Sequence, residues 1–234
     1  MSRRLVLNAD DFGYDPAVTR GIVEAMTKGV VSSTTMIVNS PFSGDAAAHA
    51  ESLSIGLHLN LVRFEALSER GRVLEERALP TLTADFVAHE TEAQLARLVA
   101  LLGRRPTHID VHKHAHLASN VLDGVARTAK AWGLKVRSIS DEMRAALRAK
   151  GVETNDAFLG DAGAEAYWTP ARFEAQLDAL PADGLVELMC HPGYRPSHVQ
   201  SGYGPQREVE LATFVDPRAK AALEQRGLVF EGWA

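Results

Sequence analysis

Ile55-Gly56-Leu57-His58-Leu59-Asn60-Leu61 alternates four aliphatic side chains with a glycine, a histidine and an asparagine. Side chains alternate across a strand, so the aliphatics share one face while Gly56, His58 and Asn60 share the other. The segment Thr107-His108-Ile109-Asp110-Val111-His112-Lys113-His114 repeats the pattern, with Ile109 and Val111 opposite His108, Asp110, His112 and His114. The apolar face needs helices packed on it. The polar face needs an open mouth or a metal, because uncompensated polar groups are costly to bury. A (β/α)-barrel meets both needs, with helices outside and a polar interior opening at the C-terminal strand ends.

The rest of the chain fits that architecture. Strand-like segments near 4–9, 33–39, 55–61, 107–112, 135–139, 155–160, 185–191 and 228–231 alternate with helical ones near 16–29, 42–53, 84–102, 119–132, 141–149, 170–180 and 207–226. This order implies parallel strands with crossover helices, an α/β fold. Eight strands in 234 residues lie at the small end of barrel sizes. An open doubly wound sheet competes, but no glycine-rich or Walker-type phosphate loop supports its nucleotide-binding forms. No repeat or linker divides the chain, so one domain over 1–234 is expected. The loops 62–83 and 193–206 each follow a histidine-bearing strand and read as lids.

Composition removes other classes. The 25 Lys+Arg against 30 Asp+Glu give a net charge of −5, which argues against nucleic acid and anionic membranes. Cys190 is the single cysteine, so neither an internal disulfide nor a multi-cysteine zinc site is available. Met1 to Asn8 lacks the apolar run of a secretory signal, and Val30–Gly44 is too short and polar to span a bilayer. A soluble cytoplasmic protein is expected. A monomer and a homodimer both remain open.

Further polar residues cluster at strand ends. Asp10-Asp11 closes the apolar first strand and is followed by Phe12-Gly13. A lone aspartate there would cap a turn. A doublet is better explained by a cation held on one carboxylate, with the other left as a base. His191 follows Glu187-Leu188-Met189-Cys190 and precedes Pro192, which ends the strand. Consecutive strand residues face opposite sides, so Cys190 reads as an outward-packed small hydrophobe rather than the nucleophile of a Cys–His pair. Candidates from strands 1, 3, 4 and 7 thus all arrive at C-terminal ends. One carboxylate plus two histidines suits a hydrolytic zinc site or a non-haem iron site.

Asn8-Ala9-Asp10-Asp11-Phe12-Gly13, Gly56-Leu57-His58, Pro106-Thr107-His108-Ile109-Asp110-Val111-His112-Lys113-His114-Ala115-His116 and Glu187-Leu188-Met189-Cys190-His191-Pro192-Gly193 resemble the YdjC-type carbohydrate deacetylases. Ser32-Ser33-Thr34-Thr35 and Arg207-Glu208-Val209-Glu210-Leu211 extend the resemblance over nearly the whole chain. It implies a distorted, TIM-like (β/α)-barrel of the polysaccharide-deacetylase kind that removes an acetyl group from an N-acetylated sugar with one divalent ion, zinc or magnesium. By motif, Asp11, His58 and His112 would be the metal ligands, Asp10 the general base and His191 the general acid. His114 and His116 would stand behind the ligands or face substrate, and Asp110 would orient a ligand histidine. Asn60, inward by strand alternation, is expected to face substrate. Val111 stands where the family usually has Ser, on the outward face. A metal-dependent phosphoesterase, an iron oxygenase and a barrel that only binds a sugar or metal are the alternatives. No Arg/Lys phosphate clamp is visible in the sequence, and the last two leave Asp10 and His191 idle.

Overall fold

Strand β1 (Arg3–Phe12) lies central in a sheet of seven strands, and the computed structural model describes residues 3–233. The sheet order is β5-β4-β3-β2-β1-β7-β6, with β2 Ser33–Met36, β3 Ile55–Leu59, β4 His108–Val111, β5 Lys135–Val136, β6 Ala157–Leu159 and β7 Gly184–Cys190. Every pairing is parallel. The sheet curls into an open barrel with helices outside, as expected.

The helices begin where capping chemistry allows. In α1 (Pro16–Lys28) Asp15 accepts the Ala17 N–H and proline takes the first turn. Thr83 caps α3 (Ala84–Leu102), Ser140 caps α5 (Asp141–Ala149) and Thr169 caps α6 (Pro170–Asp178). The stretch read as one helix over 207–226 is two, α7 (Pro205–Val215) and α8 (Pro217–Gln225). Asp216 caps α8 ahead of Pro217, the same signature that starts α1. The remaining helices, α2 (Ser43–Ala47) and α4 (Ser119–Trp132), have no side-chain cap, and neither does α7.

Outward strand residues Leu5, Leu7, Ile55, Leu57, Ile109, Val111 and Leu188 join helix residues such as Val18, Leu95 and Val125 in one core. Inside the barrel, the base is plugged by Val6, Leu185 and Trp233, a small separate cluster. His108 stacks on Trp233 with ring centroids 4.5 Å apart. It fits because Gly56 lies beside it: a Cβ there would sit 2.5 Å from His108 Nδ1. Residues 228–231 do not form an eighth strand. Only Phe230 bridges Leu5, and the tail then turns under the barrel to deliver Trp233.

The two edges nearly meet. Val136 donates its N–H to Glu153 O at 3.0 Å, and beyond it the Asn155 side chain takes over. Asn155 Oδ1 accepts the Ser138 N–H at 2.7 Å, and Nδ2 donates to Ser138 O and Ala157 O, both at 2.9 Å. One amide side chain thereby substitutes for the missing ladder. Among the described residues no helix is long and apolar enough to cross a membrane.

Candidate active site

Strict alternation would send Asp10 and Asp11 to opposite faces, yet both carboxylates line one cavity of about 560 Å³ at the C-terminal strand ends. The cause is a register break in the β1–β2 ladder between Ala9 and Phe12, where Asp11 takes a left-handed φ of 76°. Such a bulge re-aims a side chain at some cost in backbone strain.

Three donor atoms converge there. Asp11 Oδ1 lies 3.2 Å from His58 Nε2 and 3.0 Å from His112 Nδ1, and the two ring nitrogens are 3.1 Å apart. Asp11 Oδ1 is buried without a hydrogen-bond partner, while Arg207 occupies Oδ2. A carboxylate oxygen orphaned between two imidazoles fits a divalent cation, and these three residues can together hold one. His58 is oriented from behind. Its Nδ1–H donates to Asp110 Oδ1 at 2.6 Å, and Asp110 Oδ2 accepts from Thr35 Oγ1 at 2.8 Å. A carboxylate behind a histidine ligand fixes the tautomer and presents Nε2 to the metal.

Beneath the donors lies a buried arginine. Arg137 grips Asp10 with two bonds of 2.6 and 2.7 Å, Asp110 at 2.8 Å and Glu187 at 2.7 Å. Burial alone would raise the pKa of Asp10, but Arg137 overrides it and holds the carboxyl far below the usual range. Asp11 is likewise held down against burial by Arg207 and His112. For His58, burial disfavours the charge, yet Asp110 and Asp11 outweigh it and lift its pKa to about 10. His191 goes the other way, lowered by burial to about 4 despite Asp10 and Asp11 nearby. Cys190 is wholly buried in the core and its pKa is pushed up by that burial, which removes it as a nucleophile.

The structure brings together Asp10, Asp11, His58, His112, His114 and His191 around this cavity. It does not bring Asn60 or His116 there. Beyond Val111 the chain enters a 3₁₀ turn with Lys113 and His114 at φ 52° and 50°, so strand alternation no longer aims the side chains. His116 is fully buried and donates from Nε2 to Arg137 O at 3.2 Å. Asn60 lies past the end of β3, where it donates to Arg63 O at 2.8 Å and Asn39 Oδ1 at 3.0 Å. Both side chains brace the walls instead of lining the cavity.

Arg137 and Arg207 are the residues that the motif reading passed over as site groups. Arg137 was open to discovery, since in Leu134-Lys135-Val136-Arg137 it alternates with two apolar residues and so falls on the polar face of that strand. Arg207 reaches the cavity from α7, where no strand period announces it.

A family model described as YdjC-like protein matches residues 4–225. The chain belongs to the YdjC-like family. Among relatives of this YdjC-like protein, the chitooligosaccharide deacetylase of Serratia marcescens is 36% identical over 253 aligned residues, covering 98% of this chain and 97% of that one. The protein of the same name from Citrobacter koseri is 35% identical, with 97% and 96% covered. A crystal structure from Enterococcus faecalis V583, provisionally described as a cellobiose-phosphate cleavage protein, superposes with a TM-score of 0.86 at 29% identity, covering 100% of this chain and 98% of that one. The Xyl-CE4 domain of a multidomain xylanase from the hindgut metagenome of Trinervitermes trinervoides shares the fold at a TM-score of 0.55 and 9% identity, with 99% and 88% covered.

Proposed function

We propose that this YdjC-like protein is a metal-dependent carbohydrate deacetylase that removes the acetyl group of an N-acetylated sugar. The observation that carries the reading is the buried triangle of Asp11, His58 and His112, set beside Asp10 and His191 in one cavity. Relatives that cover nearly the whole chain bear the name chitooligosaccharide deacetylase, which supports the substrate class.

When bound by Asp11, His58 and His112, a divalent ion supplies Lewis acidity toward the acetyl carbonyl and brings the pKa of a bound water from 15.7 towards about 7. Two histidines favour zinc over magnesium. Arg207 engages one oxygen of Asp11 and so leaves the other for the ion. Asp10 carries no share of the ligand triangle, and it takes the proton of the attacking water. Arg137 keeps that carboxylate ionised and fixed in direction. His191, on the same cavity, gives a proton to the sugar nitrogen as the C–N bond breaks. Because burial keeps it neutral at pH 7, the proton it hands to nitrogen is the one Asp10 has taken from the water. That proton passes across the cavity that both residues line, so that both side chains end the cycle as they began it.

The test is acetate release from N-acetylated mono- and disaccharides after reconstitution with zinc or magnesium. Acetate is expected with metal and none after chelation. Full metal occupancy with no acetate from any N-acetyl sugar would sink the reading. His191→Ala should lose roughly 10²–10⁴-fold on an N-acetyl sugar. An activated aryl acetate, whose leaving group needs no proton, should lose far less.

A further inference from the structure

Asp15 lies in the turn just beyond β1, the strand that carries Asp10 and Asp11, and it is fully buried and outside the cavity lining. One of its oxygens explains itself: Oδ1 accepts the Ala17 N–H at 2.8 Å and caps α1. A serine would suffice for that. The other oxygen does something a cap does not need. Asp15 Oδ2 accepts three consecutive backbone N–H groups from a segment far along the chain, those of Ser197 at 3.1 Å, His198 at 2.8 Å and Val199 at 3.2 Å.

The residues that follow these three line the cavity. Gln200, Ser201, Gly202 and Tyr203 face it. The Gln200 carbonyl accepts from Arg63 Nη1 at 2.9 Å and from Tyr14 Oη at 3.3 Å. At the far end, Tyr203 Oη donates to Glu210 Oε1 at 2.7 Å, and Glu210 Oε2 accepts the His191 N–H at 2.6 Å. The segment is therefore held by a buried carboxylate at each end, one next to the paired aspartates and one under His191.

We propose that Asp15 is a positioning residue that fixes 197–203 as a preformed wall of the sugar site and thereby sets how tightly substrate is held. The substrate half of this inference rests on the deacetylase reading. Hydrogen bonds to an ionised carboxylate are among the stronger ones available to a loop. A wall ordered in advance costs no ordering entropy when substrate arrives. Loss of the latch should therefore weaken binding while Asp10 and the three metal donors stay in place.

Asp15→Ser separates the two roles, because it keeps a cap for α1 and removes the oxygen that reaches 197–199. In the ion-free protein, hydrogen exchange at the Ser197, His198 and Val199 amides should quicken roughly 10- to 100-fold, with α1 unchanged. In the metal-reconstituted enzyme, KM for an N-acetylated disaccharide should rise by roughly the same factor with kcat within about threefold, the signature of lost uniform binding. Asp15→Asn, which keeps shape and one acceptor oxygen, should fall between, and it takes over both measurements if the serine variant does not fold. Unchanged exchange at 197–199 overturns the latch. Faster exchange with unchanged KM overturns its effect on substrate, and a fall in kcat at unchanged KM does so too. If the unaltered enzyme releases no acetate from any N-acetyl sugar, the deacetylase reading fails by itself, while the exchange measurement still decides the latch.

Discussion

His58 lies between two carboxylates, hydrogen-bonded to Asp110 at Nδ1 and facing the unpartnered oxygen of Asp11 across Nε2, and this governs how the site takes up an ion. Against the opposing effect of burial, the two carboxylates raise its pKa to about 10, so the ion-free protein carries a proton there at neutral pH. A ligand histidine must be neutral, and each ion bound below that pH displaces a proton. Metal affinity should then rise about tenfold per pH unit between about pH 6 and 8. Calorimetry in buffers of different ionisation enthalpy would read the released proton, and a pH-independent affinity would refute the scheme. The raised pKa also stabilises the ion-free fold, fully below about pH 6.5, and that contribution is lost as pH climbs through about 10. Asp110→Asn removes the carboxylate that orients the ring and should weaken metal binding by roughly 10- to 100-fold at about pH 8.

Each strand carries its side chains into the site only as far as its ladder stays regular. In β3 and β4 alternation holds through His58 and Asp110, and it correctly pairs them across the sheet. It fails in β1, where the bulge turns Asp11 onto the same side as Asp10. Beyond β4 it fails again, since the left-handed Lys113 and His114 send His116 into the wall. Gly56 shows the opposite dependence, of a strand on what its neighbour needs. Gly56→Ala would set a Cβ 2.7 Å from the backbone oxygen of His108 and 2.5 Å from its ring. Overpacking of this kind costs about 1–3 kcal/mol, which denaturant unfolding would register. A neutral substitution would mean that β3 and β4 can move apart at this point and the His108 ring leave its stack on Trp233 freely.

Closure of the barrel depends on Asn155 more than on any strand pair at the seam. Its amide satisfies the Ser138 N–H and C=O, which no neighbouring strand reaches. Asn155→Ala would leave both buried groups unpaired, at about 1–3 kcal/mol each. For a chain of this size each kcal/mol lowers Tm by about 2–4 °C, so a drop of several degrees or more is expected in a thermal scan. Because Arg137 directly precedes Ser138 and grips Asp10, Asp110 and Glu187, the same variant should also weaken metal binding. A normal Tm would show that water can take the place of the amide.

Period and punctuation in the sequence were enough for the parallel α/β order, the helices outside, and the arrival of Asp10, His58, His112 and His191 at one end. Strand alternation and capping act over a few residues, and those few residues carry the signal. Asp216-Pro217 was legible in the same way, although the apolar run across it hides the break between α7 and α8. Longer-range relations had no such signal. That Arg137 would meet three carboxylates, that Arg207 would share Asp11 with an ion, and that Asp15 would hold residues 197–199 depend on groups separated by tens to nearly two hundred residues. Curling the sheet brings them together, and a buried charge must then be paired with whichever opposite charge or N–H the fold has placed beside it. Only the tertiary structure decides which one that is.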